Sequence, residues 1–205
     1  MAKTPKFANA KVFAWVDKWN KLCTPDKIVV VKGTKEEHTA ICEMMVKNGQ
    51  FIKLNDKKRP GCYLARSPES DVARVEGRTF ICTEKKEDAG NINNWMAPAE
   101  CKAKLTKLYN GSMKGRTMYV IPYSMSVVGS PFAKYGIELT DSIYVVLNML
   151  IMTRVGTNVL DALGESGDFI KGLHAKADLD EENRYITHFP ETNEIMSVNS
   201  GYGGN

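Results

Sequence analysis

Short β-branched or aromatic runs alternate along this chain with stretches of helical periodicity, and no segment repeats another. Ile28-Val29-Val30-Val31 is followed by Gly33, then by Thr34 and Glu37 at capping-box spacing, then by the apolar stripe Ile41, Met44 and Met45 up to Gly49. That order predicts a strand, a turn and a helix. Phe13, Trp15, Val16 and Trp19 recur at helical spacing within residues 8–22, and Thr24-Pro25 ends that helix. Residues 78–83 alternate as a strand does, and residues 98–108 read as a helix with proline near its first turn. Residues 116–123 (R-T-M-Y-V-I-P-Y) read as a buried strand that stops near Pro122, because proline brings no N–H to a ladder. Asp141 or Ser142 is placed to cap a helix through Arg154, and Thr157 to cap a short one ending at Gly164. Residues 169–174 form a further strand, and residues 185–189 and 194–198 flank the turn composition Pro190-Glu191-Thr192-Asn193. The polar stretches 55–61 and 84–94 are exposed loops. The expected class is α/β (α+β-like): one domain over residues 1–205, with a mixed β-sheet flanked by helices and no linker dividing it.

Composition removes several functional classes. With 205 residues, 43% hydrophobic and 25% charged, the chain can hide a large core and is not a disordered polymer. Residues 1–60 carry thirteen Lys and Arg against six Asp and Glu, whereas the remainder carries fifteen against eighteen. The front lysines are scattered among acids without interleaved aromatics, which fits a solvated face rather than nucleic-acid binding. Cys23, Cys42, Cys62, Cys82 and Cys101 are odd in number and lack a C-x-x-C pair, so they read as buried or idle thiols of a reducing cytoplasm. The most apolar run, residues 143–152, is too short to span a bilayer, and no apolar stretch follows Lys3 and Lys6 as a secretory signal requires. His38, His174 and His188 have no metal-ligand spacing, no G-x-S-x-G elbow is present, and 111–117 fails the phosphate-loop template, so Lys114 and Arg116 flank a strand entrance. Met113, Met118, Met125, Met149 and Met152 are read as core filler.

Two features invite chemistry. Arg74 stands in D-V-A-R-V-E among apolar neighbours, where a guanidinium needs an anion. Asp71 or Glu76 could satisfy it internally, or it could be reserved for a substrate carboxylate. The end of the chain, S-G-Y-G-G-N, is either a flexible tail or a loop whose glycines bring backbone N–H groups to an anion beside a flat tyrosine ring.

Three segments in fixed order give these features a context: residues 62–83 (C-Y-L-A-R-S-P-E-S-D-V-A-R-V-E-G-R-T-F-I-C-T), residues 113–125 (M-K-G-R-T-M-Y-V-I-P-Y-S-M) continuing to G-S-P-F-A-K-Y-G-I-E-L-T-D-S at 129–142, and the terminal S-G-Y-G-G-N. Together with I-M-T-R-V-G (151–156) and F-I-K-G-L-H (169–174), the chain resembles the GTP-dependent phosphoenolpyruvate carboxykinases over nearly its whole length. The resemblance implies conversion of oxaloacetate and GTP to phosphoenolpyruvate, CO2 and GDP, in gluconeogenesis, with Mn²⁺, and Mg²⁺ with GTP, in the whole enzyme. It implies that Arg74 clamps the substrate carboxylate, that Tyr202 packs beside it, that Gly203 and Gly204 contribute to substrate binding through the backbone, and that Glu76 contacts a mobile lid. The metal ligands, phosphate loop, guanine pocket and lid of the family are not in residues 1–205, so the resemblance implies an N-terminal substrate-side domain without its nucleotide and metal domain, inactive by itself. Ser126 and Val127 replace a family Gly-Pro, Leu150 an arginine and Ile143 a proline. These departures leave a second reading open, a free-standing binding or scaffold domain of the same fold. Apolar surface on 143–152 or on the strands near 116–123 is expected to be exposed and to drive self-association.

Overall fold

The computed structural model describes residues 2–66 and 75–201. In chain order its elements are α1 (Ala10–Cys23), β1 (Lys27–Val30), α2 (Lys35–Lys47), β2 (Phe51–Lys53), β3 (Tyr63–Ala65), β4 (Thr79–Ile81), β5 (Asn94–Trp95), α3 (Pro98–Tyr109), β6 (Thr117–Ser124), β7 (Tyr135–Thr140), α4 (Ile143–Met152), β8 (Arg154–Val155), α5 (Thr157–Leu163), β9 (Ile170–Ala175), β10 (Tyr185–Phe189) and β11 (Glu194–Val198). Nine strands form one mixed sheet in the order β1-β6-β7-β9-β11-β10-β4-β5, with β8 on β6, while β2 and β3 make a separate hairpin. This is the expected α/β architecture with a mixed sheet flanked by helices.

Helices lie on both faces. On one, Val12, Val16 and Trp19 of α1 and Cys101, Leu105 and Tyr109 of α3 pack with Met118, Val120, Leu139, Leu173 and Val198 of the sheet. On the other, Ile41, Cys42 and Met45 of α2 and Val146 and Leu147 of α4 close over Ile121. Asn9 caps α1, accepting from the N–H groups of Lys11 and Val12, while its amide donates to the carbonyls of Gly164 and Ser166, so one side chain ties two helix ends together. Of the predicted Thr34 and Glu37 box the Thr34 arm forms, its hydroxyl accepting from Glu37 N, while the Glu37 carboxylate accepts from the N–H groups of Lys32 and Gly33 at 2.9 and 2.8 Å, before the cap.

Several expectations are corrected. The strand at 116–123 does not stop at Pro122 but runs on to Ser124. The Pro122 carbonyl accepts from Gly156 N on the side of β6 where β1 has ended, so the missing proline N–H faces away from β7 and leaves the β6–β7 ladder intact. The helix expected to reach Arg154 ends at Met152, because Arg154 and Val155 turn into β8 against Ser124 and Tyr123. Of the two residues placed to cap α4, Ser142 takes the N-cap, as one of the two expected. Gly156 rather than Thr157 occupies the N-cap of α5. The loop 84–94 contains a 3-10 turn at Lys86–Ala89 and ends in β5. Met113 and Met118 are buried, but Met125 and Met152 are 64% and 72% exposed and are not core filler. The residues of β6 from Met118 to Ser124 are buried between β1 and β7 apart from partial exposure at Tyr119, so that strand is not the exposed apolar surface expected there. Cys62 is exposed, whereas the other four thiols are buried.

Candidate functional site at one end of the sheet

The registers bring distant segments of sequence to one edge. Thr79, the first residue of β4, stands opposite Ile186 near the start of β10, and Tyr185 stands opposite Val198 at the end of β11. The chain therefore enters β4 through Val75 and Glu76 at the same end of the sheet where it leaves β11 through Ser200 and Gly201. Arg74, Tyr202, Gly203 and Gly204 lie outside the described residues; their described neighbours converge on this end.

Glu76 opens a 3-10 turn, Glu76–Arg78, held from two sides. The Asn94 amide donates to the carbonyls of Glu76 and Thr79, and the Thr79 hydroxyl donates to the Val75 carbonyl. The Glu76 carboxylate is exposed and makes no ion pair or side-chain hydrogen bond among the described residues. Its position is thus fixed by the backbone while its charge faces outward.

The exit from β11 is held more tightly. Asn199 adopts positive φ (59°), its N–H donates to the Ala175 carbonyl, and its own carbonyl accepts from Nε of buried Arg184 at 2.8 Å. Its amide donates to the Asn183 carbonyl. One residue on, the Ser200 carbonyl lies 2.5 Å from His174 Nε2, and His174 Nδ1 lies 2.7 Å from the Thr140 hydroxyl. A carbonyl only accepts, so Nε2 donates to the Ser200 carbonyl, while Thr140 Oγ1, which accepts from Ser142 N, meets Nδ1. His174 is therefore a buried strut linking β7, β9 and the segment before Tyr202. Sequence inspection missed this role because its partners, Thr140 and Ser200, lie far from His174 in sequence.

Beside it opens a cleft of about 340 Å³ whose lining includes Asn48, Gln50, Arg116, Tyr119, Asp141 and Lys176. Arg116 pairs with Asp141 at 2.8 Å and Asp178 at 3.2 Å, and Asp141 also accepts from the N–H groups of Lys176 and Ala177. Arg116 does stand at the entrance of a strand, as read from its sequence neighbours. No group of three or more His, Cys, Asp or Glu among the described residues could hold a metal ion, so none of them is assigned as a ligand. No described helix is long and apolar enough to cross a membrane.

The fold is an α/β domain with helices on both faces of one mixed sheet. A family model described as the phosphoenolpyruvate carboxykinase N-terminal domain matches residues 14–205, and the chain belongs to that family. It is 54% identical to a phosphoenolpyruvate carboxykinase [GTP] of Neocallimastix frontalis over 96% of this chain and 34% of that protein. It is 52% identical to one of Anaeromyxobacter sp. (strain K) over 97% and 33%, and 50% identical to one of Treponema pallidum (strain Nichols) over 98% and 34%. The chain thus spans about a third of the length of these curated relatives.

Proposed function

We propose that this chain supplies the carboxylate-holding side of a GTP-dependent phosphoenolpyruvate carboxykinase site. In that reaction the bond between oxaloacetate and its leaving carboxylate breaks, its electron pair remains as an enolate, and the enolate oxygen takes the γ-phosphoryl group of GTP, leaving phosphoenolpyruvate, CO2 and GDP. Arg74 holds the retained carboxylate through two parallel hydrogen bonds, Tyr202 packs against it, Gly203 and Gly204 offer backbone N–H groups, and Glu76 meets a lid. Mn²⁺, and Mg²⁺ with GTP, belong in this reading to further residues of a longer, cytoplasmic protein in which residues 1–205 form the N-terminal domain. The observation that carries the reading is the convergence of the Val75–Glu76 and Ser200–Gly201 segments, far apart in sequence, at one end of the sheet.

Titration of the chain with phosphoenolpyruvate tests it. Arg74→Ala is expected to weaken binding by tenfold or more, since a charge-assisted pair contributes about 1.5 to 3 kcal/mol. Equal affinity in both proteins overturns the assignment and favours the scaffold reading, which rests on the departures at Ser126, Val127 and Leu150. A coupled assay of this chain with GTP, Mn²⁺ and oxaloacetate is expected to show no turnover; sustained turnover refutes the division of labour.

Self-association is proposed through the opposite end of the sheet. Met125, Val127, Phe132, Ile151 and Met152 are 64%, 65%, 83%, 67% and 72% exposed, and the pairing of Ser124 with Arg154 brings the loop after β6 beside the end of α4. Light scattering is expected to show mass rising with concentration and to lose that rise in Phe132→Ser/Ile151→Ser; a monomer at all concentrations refutes it.

A further inference from the structure

Two of the four buried thiols are neighbours. Phe80, Thr187, Met196 and Leu173 are successive cross-strand partners on β4, β10, β11 and β9, on the face of the sheet that α1 and α3 cover. Cys82, two residues beyond Phe80, leaves the end of β4 on that same face, its N–H donating to the His188 carbonyl at 2.8 Å. Cys101 meets it from the first turn of α3. Both side chains are wholly buried, and they hydrogen-bond to one another. Two sulfurs that share a hydrogen bond need only a short side-chain movement to reach bonding distance.

The two thiols are not equivalent. The hydrogen bond to Cys101, and then burial, push the Cys82 thiol far up, so it keeps its proton. The same hydrogen bond, with the Lys104 ammonium and the Thr187 hydroxyl, holds Cys101 below the ordinary thiol range against its burial. Cys101 is thus the attacking sulfur and Cys82 the resolving one. Solvent is close: Glu84, Ala99 and Glu100, beside the pair in sequence, are exposed. Helix α3 opens on Ala97 with no side-chain cap, so its first turn opens more readily than its middle.

We propose that Cys82 and Cys101 form a peroxide-responsive pair that closes into a disulfide between β4 and α3. The Cys101 thiolate attacks one oxygen of hydrogen peroxide, the O–O bond breaks, and the hydroxide released takes up the proton that Cys101 had lost. Cys82 sulfur then attacks the resulting sulfenic acid, and the second hydroxide leaves as water with the Cys82 proton. Two thiols and one peroxide become one disulfide and two waters, the two electrons passing from sulfur to oxygen. In a reducing compartment such a bond is transient and reversed by thiols. It closes the segment between its two ends, which contains β5 and Asn94. The Asn94 amide donates to the Glu76 and Thr79 carbonyls, so oxidation stiffens the support of the Glu76 turn. The bond itself is independent of the reaction proposed above, since it involves neither substrate nor nucleotide.

The test uses this chain with its exposed thiol removed, Cys62→Ser, so that hydrogen peroxide reports on the four buried thiols. After brief exposure in native buffer, thiols counted in denaturant are expected to fall from four to two, and a peptide linked through Cys82 and Cys101 to appear by mass spectrometry. Dithiothreitol is expected to restore all four. In the same background Cys82→Ala is expected to stop at a sulfenic acid on Cys101 that dimedone traps. The linked peptide is read with both buried cysteines in place, so the outcome stands even where Cys82→Ala fails to fold. Four thiols surviving a dose that oxidises Cys62 in the unaltered chain overturn the proposal, as does linkage through Cys23 or Cys42. So does a linkage rate that rises with urea in step with global unfolding, because the pair then reacts only in the unfolded chain.

Discussion

Raising the pH from 5 to 9 is expected to destabilise the chain by on the order of 3 kcal/mol, and Glu138→Gln is expected to abolish that loss. The carboxyl has an ordinary value of 4.5 when unfolded and is pushed up to about 8 when folded, because surrounding protein removes water from it. Between those values the folded state holds a proton that the unfolded state has released, so stability falls as pH rises through the window and levels off above it. The full shift corresponds to more than 4 kcal/mol by about 1.4 kcal/mol per unit; partial exposure of the side chain reduces this. Urea unfolding of both proteins at pH 5, 7 and 9 measures the effect, and the paired variant subtracts whatever His174 and other groups contribute. A difference between the two that does not change with pH contradicts the assignment.

Gly33→Ala is expected to cost about 3 kcal/mol, from two sources that add. Gly33 has φ of 75°, in the left-handed region, and a methyl group there would overlap the backbone carbonyl of Val155. That carbonyl belongs to β8 and has no flexible side chain to swing away, so either the turn between β1 and α2 or the β8 pairing on β6 must shift. Gly49→Ala makes the control: its φ is 73°, yet nothing lies near the added methyl, so only the backbone cost of about 1 kcal/mol remains. Equal losses of melting temperature in the two variants dismiss the contact with Val155.

These two positions also mark how far sequence patterning reaches. The β1 to α2 unit was legible because Val29, Gly33, Thr34 and Glu37 each agree with it locally. Strand β7 was not anticipated, although it is central, because Gly136 and Glu138 interrupt the apolar signal; both make sense only beside Tyr123 and Gly172 from other strands. Pro122 misled in the same way, since the place where β1 gives out beside β6 is a property of the sheet. The short strands β2, β5 and β8 hold two or three residues each, too few for a period. At the candidate site, Glu76 could be named from its motif, whereas Thr140, His174, Arg184 and Asn199, which anchor the segment before Tyr202, become a group only through cross-strand neighbours.

The placement of β4 beside β10 has a consequence for synthesis. About a hundred residues separate Ile81 from Tyr185, and β5 pairs with β4, so this pair of short strands has no further sheet neighbour until Tyr185–Phe189 leaves the ribosome. Until then the nascent polypeptide carries an open edge with Phe80 and Trp95 waiting beside it, a natural substrate for a holding chaperone and the point where slow translation would do the most harm.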